Sequence, residues 1–275
     1  MNENNSILLI DPNFHPETAA SCSLIVKIGS GNLSYAIINN DEARVIALYD
    51  EPECTNSIQK FNQLLKTDTY LTLPYAKINV AVNTGNIAFI PNELFDEDEV
   101  NTYTQYFSED SAKQVFLQPD HAAGFTTVFS LPLLTEKSIS GVWSHYKVYQ
   151  QNQGLIALAK NFEKQNLLLD FSANTFEALV FNDGILQFQQ HYEFDNNEEF
   201  VYYLLLITQQ LNLDFNQTSV SVSGIIHLND EKWSSIKKYF TNLNFLNIDI
   251  PLNSYVIEDM PKHYYAGLLS IYTCG

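Results

Sequence analysis

An α/β fold of the α+β, mixed-sheet kind is the expected architecture, duplicated as two related half-domains facing across a cleft. Three observations point to it. Apolar residues alternate with polar ones over short runs at 23–49 and again at 166–194, the period of half-buried strands. Turn residues punctuate both stretches: Gly29-Ser30-Gly31-Asn32 and Asn39-Asn40-Asp41 in the first, Asn182-Asp183-Gly184 in the second. Each stretch is then followed by a helical period, a strand-like run and a second helical period, so one order occurs twice in 275 residues. The expected halves are 1–158 and 159–275, with the boundary inside 153–164, where no low-complexity linker occurs.

The first meander rests on Leu24, Val26 and Ile28, then Leu33, Tyr35 and Ile37, then Val45, Ala47 and Tyr49. A helix follows at 57–65, because Ile58, Phe61, Leu64 and Leu65 share one face. Strands are expected at 78–82 and 87–90. The four acids at 96–99 favour the positive end of a helix over 96–107. They read as a solvated helix start, against the alternative of a metal or partner patch. Short strands at 114–117 and 125–129, a weak helix at 132–142, a strand at 145–149 and a helix at 154–162 complete the first half.

In the second half, 166–171, 176–181 and 185–194 are strands, the last two joined by an Asp-Gly hairpin turn. A strong helix at 198–213 carries Phe200, Val201, Leu204, Leu205, Thr208 and Leu211 on a broad apolar face. A strand at 219–222 ends at Ser223-Gly224. An amphipathic helix at 230–240 and a strand at 245–250 follow, and Pro261 opens a last helix reaching about 272. Close helix packing accounts for Gly267 within it. The expected core of this half is Leu168, Phe171, Leu179, Phe181, Leu204, Leu205 and Val222.

Composition narrows the function. The chain is 45% hydrophobic and 17% charged, an ordinary globular balance. No run of 18 apolar residues occurs, so no membrane insertion is expected. Residues 1–5 are polar without a basic region, and the apolar stretch at 7–10 is too short for a signal peptide, which implies a cytoplasmic location. A net charge of −18 repels phosphate backbones and argues against nucleic-acid binding. Cys22, Cys54 and Cys274 are odd in number and form no CxxC pair, so no disulfide framework is expected. The six histidines are scattered without HExxH or HxH spacing, so no metal site is expected.

The second half carries a family resemblance. The hairpin "LLLDFSANTFEALVFNDGILQF" at 167–188 is followed by an acidic, aromatic helix, "NEEFVYYLLLITQQL", and by "VSVSGII". With the doubled meander, these stretches resemble the actin-like ATPase fold shared by actin, the sugar kinases and the heat-shock ATPases, itself related to the ribonuclease-H-like fold. They are similar to PilM, the actin-like protein of type IV pilus assembly. They resemble, more specifically, an uncharacterised bacterial family, the domain of unknown function 3822. The resemblance spans about 23–272 and is stronger in the second half. That family name brings no activity with it.

The resemblance implies four short ATP-holding motifs, and each departs from its pattern. The first expects apolar-Asp-apolar-Gly-Ser/Thr and meets "LIVKIGSGNLSYAII". Gly29 and Ser30 match the turn, Lys27 stands at the acid's place, and the basic or amide side chain of the next strand falls near Ser34. The second expects Asp-x-Gly and meets Asp170-Phe171-Ser172. Its glycine, which lets backbone approach phosphate, has become Ser172, followed by Ala173, Asn174 and Thr175. The Ser172, Asn174 and Thr175 side chains retain hydrogen-bond donors for an anion. Asp195-Asn196-Asn197 stands where a Gly-Gly pair is expected before the long helix. At the adenine pair only Gly224 remains, with Ile225 beside it. The resemblance thus implies a degenerate nucleotide cleft of Lys27, Gly29, Ser30, Asp170, Ser172, Asn174, Thr175 and Gly224. No catalytic residue and no metal ligand emerges, and no cofactor is expected beyond weak binding of ATP with magnesium. The bland alternatives are that Asp170 caps a turn and that Gly29, Gly31, Gly184 and Gly224 serve backbone geometry.

Two functions compete. One is a pseudoenzyme acting as a protein-binding or scaffold module, with an unidentified protein partner. PilM-like proteins hold a partner peptide in addition to nucleotide, and Tyr202-Tyr203, Tyr264-Tyr265 and Phe14 are amphipathic anchors where exposed. The other is an ATPase or small-molecule kinase using the inter-domain cleft. It places Asp170 at the metal and Ser172, Asn174 and Thr175 at the phosphates, yet the sequence offers no general base. A nuclease is disfavoured, because the other half supplies no acid to join Asp170.

Overall fold

Period-2 alternation builds the sheets, and the register between their strands positions the candidate site. The computed structural model describes residues 6–54, 56–108, 111–121, 123–247, 250–253 and 255–274. The chain divides into two units. The first comprises 1–154, 251–258 and 271–275, and the second comprises 155–250 and 259–270.

In the first unit the chain runs β1 (Ile7–Ile10), β2 (Cys22–Ile28), β3 (Leu33–Asn39), β4 (Arg44–Glu51), α1 (Ser57–Thr67), β5 (Lys77–Val82), β6 (Ile87–Pro91), α2 (Val100–Thr104), β7 (Ser111–Asp120), β8 (Phe125–Pro132), α3 (Leu133–Ser140) and β9 (Lys147–Gln150). A six-stranded sheet has the order β1-β4-β3-β2-β5-β9, and a three-stranded sheet the order β6-β8-β7. β2, β3 and β4 form the antiparallel meander, and β5 and β9 add in parallel. α1 starts at Asn56, whose side chain accepts the Gln59 N–H at 3.0 Å, an N-cap worth about 1 kcal/mol. It sinks fully buried Phe61 into a core with Leu24, Val26, Tyr35 and Val80. The Phe61 ring lies 5.7 Å from that of Trp143. β1 is tied down by an Arg44–Asp11 ion pair at 2.6 Å.

α4 (Gln153–Leu158) leads into the second unit. There follow β10 (Gln165–Phe171), β11 (Thr175–Asn182), β12 (Ile185–Glu193), α5 (Asn197–Gln210), β13 (Ser219–Gly224), α6 (Glu231–Tyr239), β14 (Asn242–Phe245) and α7 (Ala266–Leu269). The sheet order is β12-β11-β10-β13-β14. The first three strands are antiparallel and β13 and β14 add in parallel, as in the run β4-β3-β2-β5-β9. The two meanders match in detail. Pairing slips between Ile37 and Ile38 in one and between Val180 and Phe181 in the other, so Ile46 and Gln187 are extra residues at the same place.

α5 packs Phe200, Leu204, Ile207 and Thr208 onto the sheet, and Leu211 lies against the same core. Of the expected core, Leu205 is only half-buried, while the other six residues are buried. They divide between the two faces. Phe171, Leu204 and Val222 pack under the helices, and by strand alternation Leu168, Leu179 and Phe181 point from the opposite face.

Some elements differ from expectation. The helix at 96–107 shrinks to a 3-10 turn (Glu97–Glu99) and α2, because Asp96 bonds the Asp98 N–H at 2.9 Å and Asn and Thr are weak helix formers. The strand expected at 245–250 lies earlier, at Asn242–Phe245. Leu243 and Phe245 alternate there with asparagines that read as loop, and positions 248 and 249 fall outside the described residues. The helix expected from Pro261 begins only at Ala266, after turns over 262–265. β1 was not expected, since four apolar residues are a weak signal. Among the described residues, no helix is long and apolar enough to cross a membrane.

Candidate functional site

Matching registers give Lys27 and Asp170 the same place, one residue before the last pair of the first hairpin, Ile28↔Leu33 in one sheet and Phe171↔Phe176 in the other. Each is the centre of a polar row running across its own sheet. In the first unit the polar row is Asp50, Ser34 and Lys27, with apolar Ala81 next across β5. Burial pushes the Asp50 carboxyl up to about 6, Lys27 holding it down and Glu51 adding to the rise. In the second unit the row is His191, Glu177, Asp170, Ser223. Asp170 is buried and accepts a hydrogen bond from Ser223 Oγ at 2.7 Å. His191 Nδ1 donates to the buried Glu177 at 2.5 Å. Burial draws the His191 pKa down, yet Glu177 and Glu193 together outweigh it, and the net shift is upward.

The turn after each central residue is built alike. The Gly29 N–H donates to Asn32 O and the Ser172 N–H to Thr175 O, both at 3.0 Å. Ser57 Oγ donates to Gly29 O at 2.6 Å, and the Cys54 N–H donates to Gly31 O at 2.8 Å. Gly31 has φ +75°, a left-handed position that glycine takes without strain. Ser30 is half-buried in this turn. In the second unit the Phe194 N–H donates to Asn174 O at 3.0 Å, and Lys232 Nζ reaches Ala173 O at 3.4 Å. The Lys232 ammonium also lies 5.6 Å from the centre of the Phe171 ring and 5.3 Å from that of Phe194. Burial lowers its pKa, with Asp230 opposing. Asn174 is exposed and Thr175 buried.

The two remaining motif positions have structural work. Asn196 caps α5 by accepting the Glu199 N–H at 3.0 Å, and Glu199 returns a bond to the Asp195 N–H at 2.8 Å. Asn196 is thus the N-cap of α5, which accounts for an amide side chain there. Gly224 has φ +78°, and a Cβ on it would meet Phe171 O at 1.9 Å, so only glycine is tolerated. Its N–H donates to His263 O at 2.9 Å, and the Ile225 N–H donates to Phe171 O at 2.9 Å. His263 Nε2 bonds Ile226 O at 3.0 Å, and its ring stacks on Phe245 at 3.9 Å. Burial lowers the His263 pKa, so the ring is neutral near pH 7.

The structure thus gathers Asp170, Ser172, Asn174, Thr175 and Gly224 at one end of β10, β11 and β13, and Lys27, Gly29 and Ser30 at the matching end of β2. Sequence reasoning missed Glu177, His191, Ser223, Lys232 and His263. Cross-strand partners need a register to be recognised, and Lys232 and His263 arrive from distant segments. It also missed four consecutive buried amides at 150–153, since a polar run reads as loop. There Gln153 Nε2 bonds Asp120 Oδ2 at 3.3 Å, and the Asn152 N–H bonds Gln150 Oε1 at 2.9 Å. Among the described residues, no group of three or more His, Cys, Asp or Glu side chains is placed to hold a metal.

The fold is similar to solved structures. A Bacteroides thetaiotaomicron protein with an actin-like ATPase fold and unknown function superposes with a TM-score of 0.73 at 16% identity, covering 85% of this chain and 94% of that one. PilM, solved in the PilM–PilN type IV pilus biogenesis complex, gives 0.62 at 11% identity, covering 92% and 98%. The ethanolamine utilization protein EutJ from Carboxydothermus hydrogenoformans gives 0.51 at 9% identity, covering 97% and 93%. These likenesses establish the actin-like ATPase fold. No curated protein matches the sequence. A family model, protein of unknown function DUF3822, matches residues 11–243, most of the chain. Because that model spans most of the chain, the chain belongs to the DUF3822 family.

Proposed function

We propose that this protein is a protein-binding or scaffold module, a cytoplasmic pseudoenzyme that keeps the actin-like fold and does not turn over ATP. On this reading its halves are 1–158 and 159–275. The observation that carries it is the charge reversal at equivalent positions, Lys27 in one sheet and Asp170 in the other. A magnesium ion between phosphates takes carboxylate or hydroxyl oxygens, and Lys27 offers an ammonium instead. The Asn196 side chain, as N-cap of α5, supplies a structural reason for one further departure. PilM, similar in fold at 11% identity, was solved in complex with PilN, which favours a binding role. The alternative, an ATPase or small-molecule kinase, draws on the buried Asp170–Ser223 pair.

Calorimetry with ATP and magnesium, followed by a phosphate-release assay, tests the proposal. The expected result is no phosphate release above the enzyme-free rate, and weak nucleotide binding at most. Micromolar binding that Asp170→Ala abolishes, together with steady phosphate release, would overturn it.

A further inference from the structure

The three-stranded sheet of the first unit carries polar side chains on its buried face. Residues opposite each other in an antiparallel pair share a face, and so do residues two apart on one strand. Gln118 and Asp120 of β7 therefore look the same way as Thr127 of β8, which lies directly opposite Gln118. Phe129, two residues on from Thr127, packs into the same core as Val82 of β5. Val82 pairs with Gln150 at the end of β9, where the amide run 150–153 begins. The polar side of the small sheet thus meets that run inside the first unit.

Two hydrogen bonds join these surfaces. The Gln150 N–H donates to Gln118 Oε1, and Gln153 Nε2 donates to Asp120 Oδ2, both at 3.3 Å. The second bond fixes the orientation of the Gln153 amide, because a flipped amide would set Oε1 against the Asp120 oxygen, acceptor to acceptor. Gln153 Oε1 therefore faces away from Asp120. It is buried and has no hydrogen-bond partner among the described residues. The same holds for Thr127 Oγ1, on a residue with 0% exposure. One atom is an acceptor, and the other both donates and accepts. A buried polar group left dry costs a factor of about five or more in the folding equilibrium constant. Two such groups beside one carboxylate call for a shared partner.

We propose that an internal water molecule bridges Thr127 Oγ1 and Gln153 Oε1 and ties the three-stranded sheet to the start of α4. The chemistry of the partners selects water. One of its hydrogens goes to Gln153 Oε1, and its oxygen accepts the Thr127 hydroxyl, so a single molecule satisfies both groups. Gln118 Oε1 and the Asp120 carboxylate stand on the same face for its second hydrogen. A buried water keeps its place with about three such bonds.

The test uses the full chain in two measurements. A crystal structure, grown once in sodium and once in rubidium salt, is expected to show one water within about 3.2 Å of both atoms in either salt. Urea unfolding compares wild type with Thr127→Val, which keeps the shape of the side chain and lacks the hydroxyl. Losing a bond to the water should lower the folding equilibrium constant about fivefold. A dry hydroxyl predicts the opposite, because valine then removes an unsatisfied group. Absence of density between the two atoms, a direct Thr127–Gln153 hydrogen bond, or an anomalous rubidium peak (a cation in place of water) each overturns the site. So does a Thr127→Val protein as stable as wild type or more stable. The crystal measurement decides even where the variant fails to fold.

Discussion

The polar rows of the two sheets occupy the same positions with opposite chemistry. The first places a cation on the inner strand, Lys27, and an acid two strands away, Asp50. The second places acids on the inner strands, Asp170 and Glu177, and a histidine outside, His191. Backbone pairing, bulge and turn bonds are common to both, so the fold tolerates either sign of charge at the strand end. In the first row one cation faces one acid, whereas in the second His191 pairs with Glu177 and Asp170 is held by the neutral Ser223 hydroxyl. What the sheets share is therefore geometry, and chemistry must be read one row at a time.

The largest expected effect falls where that geometry diverges. Val82 in β5 stands at the place of Gly224 in β13, one pairing with Ile28 and the other with Phe171. Gly224→Ala forces a side chain onto Phe171 O at a left-handed φ and should cost about 4 kcal/mol or more in urea unfolding. Val82→Ala removes only buried methyl groups and should cost no more than about 3 kcal/mol. Equal losses at the two sites would break the comparison.

Leu204→Ala should cost about 2–5 kcal/mol, because fully buried Leu204 lies on the sheet-facing side of α5 with Phe200 and Thr208. A loss below about 0.5 kcal/mol would mean that the helix face is misassigned.

Next comes Asp50. Its folded pKa of about 6 exceeds the ordinary 3.8, so its contribution to stability is fully present below pH 3.8 and lost as pH rises through 6. Asp50→Asn should therefore stabilise the protein at pH 8 by on the order of 2–3 kcal/mol, and by much less at pH 4. A pH-independent difference between wild type and variant would contradict the burial of its charge.

The smallest effect concerns His191. Its raised pKa contributes stability below pH 6.5 that disappears as pH rises through the folded value. His191→Gln should flatten that part of the stability profile, and Glu177→Gln should lower the His191 titration midpoint seen by NMR. An unchanged midpoint would detach His191 from Glu177.

Much of this was legible in the sequence. Alternation at Leu24, Val26 and Ile28 and the Asp183-Gly184 turn were enough for both meanders, because strand period and turn chemistry are local. Lys27 and Asp170 were singled out through the family resemblance, and the matched strand registers give them the same place. Bulges at Ile46 and Gln187 were invisible, since an extra residue shows only against a partner strand. Glu177 and His191 are 14 residues apart and meet only once the hairpin is in register. Lys232 lies 59 residues from Ala173, so no local signal links the two.

The first unit is not one stretch of chain. Asn253 exchanges backbone bonds with it, its N–H to Ala43 O at 2.8 Å and its O from the Val45 N–H at 2.9 Å, and Ile271 O accepts from Asn79 Nδ2 at 3.5 Å. During synthesis, the β-strands made first therefore wait for partners made last. The second unit's sheet is complete in sequence by Phe245, before either of those segments exists. Such long-range closure slows folding, and the early strands are exposed to wrong pairings while they wait. A nascent chain halted at 250 should thus leave the first unit open to cleavage, while the second unit, still without 259–270 and the His263 bonds to Gly224 and Ile226, should reach full protection only once those residues are added.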